Sequence, residues 1–330
     1  PTAGKRVREI NPVITDRVPE AYHLQKAVAV FNNAYKKGKY YGSNRMSWLD
    51  QGEGWTSSAS RFERPFSISS VTNVETTGPK PELQFSACAT NNIVHHFGIK
   101  VGTTGSPGRV LQRFTVDGDG FVKGKAVLEF SEIQPSGNVT LWTSPDAHET
   151  TSNQISMVHG IVTYPRKNTF SGSYMIIHTD SSKSEAPYFE FSNAPSGLVA
   201  YDFSSLENVV RIAGYDVNGK KGFVVPAEDR KSHKVLLANT STPIQPLPAT
   251  RVSFKVINPE AVDYIILTNK KLMEKVGNST LTAPEEYEAY RASSAGGSYR
   301  TLLVHMDEII DQFHYGEYSA NSIKRFISYL

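Results

Sequence analysis

The chain has 330 residues, 39% of them hydrophobic and 20% charged, and 35 Lys and Arg against 32 Asp and Glu leave a net charge of +3. That length holds two or three domains and the composition is that of an ordinary globular protein. The small, scattered positive charge excludes a dedicated nucleic-acid surface, no apolar run nears the roughly 20 residues of a spanning helix, and one cysteine, Cys88, excludes an internal disulfide framework.

The first residue is Pro1, with neither Met nor a signal-peptide apolar stretch, so either a targeting segment has been removed or an upstream part is missing. Residues 1–44 read as an N-terminal arm or the edge of a preceding domain. Within them Ala21 to Tyr35 reads as a helix or, equally, as an extended arm. Lys36, Lys37 and Lys39 form a short basic run, the pattern of a solvated turn.

Residues 45–165 predict a β-sandwich or jelly roll. Val-, Ile-, Thr- and Phe-rich runs recur at 61–68, 82–88, 94–101, 109–116, 123–130, 139–143 and 154–164, separated by Gly, Pro, Ser, Asn and Asp. Residues 166–255 predict a second β-rich domain with strands at 173–178, 188–191, 198–203, 209–213, 222–225 and 234–237. Its end, Ser241 to Pro248, is proline-rich and reads as an extended linker.

Residues 256–330 change character. Val262 to Leu267 and Arg300 to Met306 are short apolar strands, and a helix lies between them. Thr282 and Glu285 make a capping box at its start, and Gly296-Gly297 end it. A last helix spans Ser319 to Leu330, with Ser319 as N-cap and Ile323, Phe326, Ile327 and Leu330 on one stripe. This β-α-β-α order is the opening of a parallel α/β sheet. One crossover does not complete such a sheet, so it is expected to continue beyond Leu330. The fold class expected is mainly β with a C-terminal α/β portion.

Candidate chemistry is sparse. Asp117-Gly-Asp-Gly120 opens like a calcium loop, but the twelfth position is Leu128, so a hairpin turn is the reading adopted. His95 and His96 point to opposite faces of a strand and do not share a metal. Cys88 alternates with Phe85 and Ala87 as a small buried thiol. Trp48-Leu-Asp-Gln-Gly-Glu-Gly-Trp55 is a loop whose tryptophans either cover the sandwich or line a sugar-binding edge. A buried Trp55 predicts a loss of about 3–5 kcal/mol on truncation to Ala. No motif identifies a catalytic, cofactor or metal site.

The α/β segment resembles the opening of the gingipain-type cysteine peptidases. Asp263 to Thr268, a helix ending in Tyr290-Arg291, and Tyr299 to Val304 carry the likeness. It continues through Asp307 to Gly316 and Ala320 to Ile327. One departure is Val276 to Pro284, which interrupts the first helix. The Trp48–Trp55 loop, Tyr164-Pro-Arg166, Ser171-Gly-Ser173 and Tyr201 to Asn208 are similar to the branch of that family that serves as surface signal peptidase, or sortase, in bacterial type IX secretion. The resemblance implies a caspase/gingipain-like sheet and a Cys nucleophile with a His base at later strand ends. Neither matches a position here: Cys88 lies far upstream, and His305, followed by Met306, reads as a strand-end histidine.

The resemblance further implies removal of C-terminal sorting domains from cargo and attachment of cargo to anionic lipopolysaccharide. The implied location is peripheral, on the outer leaflet of the outer membrane, with an outer-membrane β-barrel anchor and other attachment components as partners and no nucleic acid. No cofactor is implied. A secreted gingipain-like endopeptidase and a non-catalytic adhesin with Trp48 and Trp55 as its glycan platform are the alternatives.

Overall fold

The computed structural model describes residues 7–37, 40–41, 44–45, 53–146, 153–183, 186–227, 232–242, 248, 250–275 and 277–330. Trp48 and most of the 241–248 linker lie outside them. The described chain divides into a β unit up to residue 245 and an α/β unit from residue 246.

The β unit opens with β1 (Arg8–Ile10), β2 (Tyr22–Val30) and the short β3 (Ala34–Lys36), β4 (Tyr40–Tyr41), β5 (Asn44–Arg45) and β6 (Gly54–Thr56). Then come β7 (Arg64–Ile68), β8 (Glu82–Thr90), β9 (Val94–Gly102), β10 (Pro107–Asp117), β11 (Gly120–Val127), β12 (Val139–Pro145) and β13 (Gln154–Lys167). The rest are β14 (Tyr174–His178), β15 (Tyr188–Phe191), β16 (Leu198–Asp202), β17 (Val210–Ile212), β18 (Tyr215–Val217), β19 (Lys220–Val224) and β20 (Lys234–Asn239).

One nine-stranded sheet, ordered β1-β17-β16-β20-β14-β2-β13-β8-β11, runs through the unit. A four-stranded sheet, β10-β9-β12-β7, and a three-stranded sheet, β15-β19-β18, accompany it. Between the nine- and four-stranded sheets lies a core that includes Leu83, Phe85, Phe97, Ile99, Leu141 and Tyr164. A second core, which includes Ile177, Phe189, Phe191, Phe223 and Leu237, joins the other half of the long sheet to the three-stranded one. Alternation builds both: Leu83, Phe85, Ala87 and Ala89 all face the first core along β8. Opposite Phe85 stands Gly124 of β11, where a Cβ would lie 2.2 Å from the ring. Glycine is required there by the close approach of the aromatic edge.

Of the two readings of Ala21 to Tyr35, helix or extended arm, the structure takes the extended one. The segment from Ala21 to Tyr35 is no helix: β2 occupies it and sits inside the long sheet between β14 and β13. Its alternating Tyr22-His-Leu-Gln-Lys-Ala-Val-Ala-Val30 finds strand partners on both edges, and tertiary pairing outweighs local helix propensity. The boundary placed at 165/166 falls inside β13, and the long sheet takes strands from both sides of it. The two cores, by contrast, draw on residues 27–164 and 170–237, so the division is one of cores and not of sheets.

His23 of β2 is wholly buried, with Nδ1 2.9 Å from Asn168 Oδ1 and its ring against Phe191. Burial, reinforced by the charge of Arg166, pushes its pKa down to about 4 from an ordinary 6.5. The folded ring therefore stays neutral where the unfolded ring takes up a proton. Stability is complete above pH 6.5 and is lost as pH falls from there toward 4. We expect His23→Gln to reduce the loss of stability between pH 7 and pH 4 by on the order of 3 kcal/mol, read from urea unfolding at each pH. Parallel curves for the two proteins would refute a neutral buried ring.

Candidate functional site

In the α/β unit β21 (Tyr264–Thr268) and β22 (Thr301–His305) pair in parallel, from Tyr264 beside Thr301 to Thr268 beside His305. Between them runs α1 (Ala283–Ala292); α2 (Met306–His314) and α3 (Asn321–Tyr329) follow. Among the described residues no helix is long and apolar enough to cross a membrane.

The N-terminal ends of the strands are clasped by charge. Arg300 Nε lies 3.0 Å from Asp263 Oδ2, and the Arg300 N–H donates to Asp263 Oδ1 at 2.6 Å. The guanidinium holds the Asp263 carboxyl below its ordinary value. Arg291 at the end of α1 lies against two rings that pack on each other, its guanidinium carbon 4.4 Å from the Tyr264 centroid and 4.6 Å from that of Tyr299. The Tyr-Arg pairs of the sequence are therefore the fastening of helix to sheet. Thr282 caps α1, its N–H and Oγ1 both donating to Glu285 Oε2 at 2.8 Å. After α1 the chain doubles back so tightly that a Cβ on Gly296 would meet the Tyr290 carbonyl oxygen at 1.8 Å, and Gly297 adopts φ +109°.

The C-terminal ends of parallel strands are where open α/β sheets hold ligands. Here they present Thr268 and His305. The His305 N–H donates to Glu308 Oε2 at 2.9 Å, which starts α2 directly at the strand end. That helix was not recognised in the sequence; the signal was the acidic first turn of Asp307 and Glu308 ahead of Ile309 and Ile310, both buried. A hollow of about 280 Å³ adjoins it, lined in part by Lys255, Met273, Glu285, Glu288 and His305. The Leu303 N–H donates to Glu288 Oε1 at 3.0 Å and its carbonyl accepts from Lys255 Nζ at 2.7 Å. His305 Nδ1 is buried without a hydrogen-bond partner. Thr268 Oγ1 faces Met273 Sδ at 3.9 Å and not the imidazole. The arrangement fixes a histidine at a strand end, and among the described residues no thiol comes to it.

In α3 the N–H of Asn321 donates to Ser319 Oγ at 3.2 Å, while the N-cap position itself falls on Ala320. Phe326 and Leu330 join the core with Phe313, Ile309 and Val304. Ile327 is 49% exposed, so the expected stripe is covered over only part of its width.

The β-unit candidates have structural roles. Cys88 is buried, and burial pushes its thiol up to about 11, so it is protonated at neutral pH. His95 is buried, 2.9 Å from Asn153 Oδ1, whereas His96 lies beside Thr115 Oγ1 on the other face. Asp117 to Gly120 is a tight turn with Gly118 at φ +65°, but it joins β10 of one sheet to β11 of another and is not a hairpin within a sheet. Asp119 faces Lys36 at 3.3 Å. Lys36 is buried and ion-paired, which corrects its reading as part of a solvated turn. Among the described residues no cluster of His, Cys, Asp and Glu is arranged to hold a metal. Trp55 is 60% exposed on β6, edge-on to Tyr35 at 5.5 Å. Exposure removes the cavity argument for its truncation.

Comparison with known proteins bears on the α/β unit first. Residues 257–330 match peptidase family C25. No curated protein matches the chain significantly. Among solved structures, dimeric latent PorU from Porphyromonas gingivalis is similar over 97% of this chain and 29% of its own, with TM-score 0.59 and 14% identity. The present chain thus spans under a third of that protein's length. A CBM36-1 domain of a multidomain xylanase from the hindgut metagenome of Trinervitermes trinervoides gives TM-score 0.24 at 12% identity, covering 42% of this chain and 96% of its own. Tobacco streak virus coat protein gives 0.23 at 8% identity, covering 46% and 91%. Scores that low carry no argument. The C25 match thus belongs to residues 257–330, and the likeness to PorU is one of fold, mainly β with a C-terminal α/β portion.

Two substitutions separate the exposed from the fastening aromatics. Trp55→Ala is expected to cost no more than about 1 kcal/mol, the scale of one aromatic pair. Arg291→Ala removes both ring contacts and is expected to cost about 1–2 kcal/mol in the α/β unit. Hydrogen exchange of β22 amides reads the second; unchanged protection would contradict the fastening role.

Proposed function

We propose that this chain supplies the β scaffold and the opening strands of a C25 cysteine peptidase that acts as a type IX secretion signal peptidase and sortase at the cell surface. The observation that carries the reading is the family C25 match at residues 257–330 directly after a β unit, in an order similar to that of PorU along 97% of the chain.

The chemistry of such an enzyme is acyl transfer. A cysteine thiolate adds to the carbonyl at the cargo cleavage site, and a histidine gives its proton to the leaving amine of the C-terminal sorting domain. The thioester then passes its acyl group to water, or to an amine of anionic lipopolysaccharide, and the thiolate returns. A thiolate needs a lowered pKa, and the buried, protonated Cys88 is the opposite of that. In this reading the β unit positions the peptidase unit at the outer membrane, held by a β-barrel anchor and other attachment components.

Two measurements test it. Purified as 330 residues, the chain is expected to be inactive, with no acyl-enzyme and no labelling by a thiol-directed peptide probe; labelling of Cys88 would contradict this. In the parent protein, replacing the strand-end nucleophile is expected to leave cargo with its sorting domain and without lipopolysaccharide. Normal maturation would end the proposal. Cargo whose sorting domain depends on the nucleophile for removal but which never acquires lipopolysaccharide would favour a plain endopeptidase.

A further inference from the structure

The nine-stranded sheet is split at one place. β14 meets β2 at a single pair, His178 beside Leu24. An antiparallel ladder would next set Ile176 beside Lys26 and Tyr174 beside Val28, and neither pair forms. A groove of about 730 Å³ opens there, lined by Gln25 to Val28 of β2 and Tyr174 to Ile176 of β14. Consecutive residues of a strand point to opposite faces, so a groove that all of them line runs between the strands and not over one face. Each strand keeps backbone N–H and C=O groups along this edge that no neighbouring strand takes up.

The two faces of the sheet contribute different groups. On the core side Gln25 Oε1 and Arg166 Nε line the groove, both buried without a partner. One is an acceptor lacking a donor and the other a donor lacking an acceptor. Register sets Tyr164 beside Gln25 and Arg166 beside His23, and Ala27 and Tyr164 place that side in the first core. Arg166 is 7% exposed, yet its guanidinium meets only Ser171 Oγ at 2.9 Å and Met175 Sδ at 3.9 Å. A buried guanidinium without a counter-charge is costly, and a carboxylate from outside relieves that cost.

On the outer side stand Lys26, His178 and Lys234. Burial, then the charges of Lys26 and Lys234, push His178 down to about 4, which places both cations around one imidazole. No described lining residue is an Asp or Glu. Val28 and Tyr174 are 57% and 51% exposed, so the mouth of the split is open.

A strand is the ligand that reads both sides at once. Its successive side chains turn to opposite faces, its backbone brings a donor and an acceptor at each residue, and beside one edge it takes up about 4.8 Å. The positive lining selects carboxylates. We propose that the split between β2 and β14 is a docking cleft for an extended acidic segment of a partner protein. The segment adds as a strand, with one carboxylate against Arg166 on the core side and the next against Lys26 and Lys234 outside. The proposal rests on the β unit alone and stands whichever way the peptidase reading falls.

Fluorescence anisotropy on the 330-residue chain tests it with the labelled peptide Val-Thr-Glu-Glu-Val-Thr, the same peptide with Lys for both Glu, and a backbone N-methylated form of the acidic peptide. The acidic peptide is expected to bind at least about tenfold more tightly than either of the others. On binding, amide exchange between Tyr174 and Ile176 is expected to slow. Lys26→Glu changes an exposed side chain and is expected to keep the melting temperature while losing about tenfold in affinity. Arg166→Gln is expected to abolish binding; should that variant unfold, Lys26→Glu still decides. Failure of the acidic peptide to bind, equal binding of the N-methylated form, or unchanged exchange overturns the added strand. Equal binding of the Lys peptide, or unchanged affinity in Lys26→Glu, overturns the acidic partner.

Discussion

The β unit depends on one strand. β13 hydrogen-bonds to β2 on one edge and to β8 on the other. Between Met157 and His159 its register against β8 shifts by one residue. Before the shift the buried positions of the first core are Ile155 and Met157; after it they are Val162 and Tyr164. The bulge changes the parity of the strand, and with it the face that every later side chain takes. Without it Val162 and Tyr164 would leave the core. Arg166 is the next residue of that even series, so the same bulge turns a guanidinium inward where the cores meet.

A second constraint holds the α/β unit. Most residues of its two strands are half-buried. Fastening comes from the ends: the Asp263–Arg300 clasp, Arg291 against a packed pair of tyrosine rings, and Phe326 in one cluster with Val304 and Ile309. The exposed clasp is screened by water and serves geometry more than stability.

Much of this was legible in residue order. Each of the thirteen strand-like runs read between residues 61 and 237 overlaps a strand, because alternation and Gly, Pro, Asn and Asp punctuation are local properties. The capping box at Thr282 is local too. What escaped depends on partners far along the chain. β2 is open between helix and extended arm until β13 and β14 flank it, and Lys36 looks solvated until the 117–120 turn brings Asp119 to it. Trp55 looks like core until its neighbours leave it exposed. Nor does the Tyr164-Pro-Arg166 stretch disclose that Arg166 is buried against Ser171. No catalytic residue could be assigned because no motif in the sequence marks one.

The order of strands in the long sheet also sets the order of assembly. β1 pairs in parallel with β17, and Glu9 meets Arg211 across 202 residues of chain. β2, near the start, has both its neighbours more than a hundred residues downstream, since Ala27 stands beside Val162 and Leu24 beside His178. Synthesis or export from the N-terminus therefore delivers the central strand long before anything can cover its edges. Loop closure of that length is slow, and exposed strand edges invite wrong partners. β2 therefore stays without its sheet partners until β13 and β14, more than a hundred residues downstream, have been made.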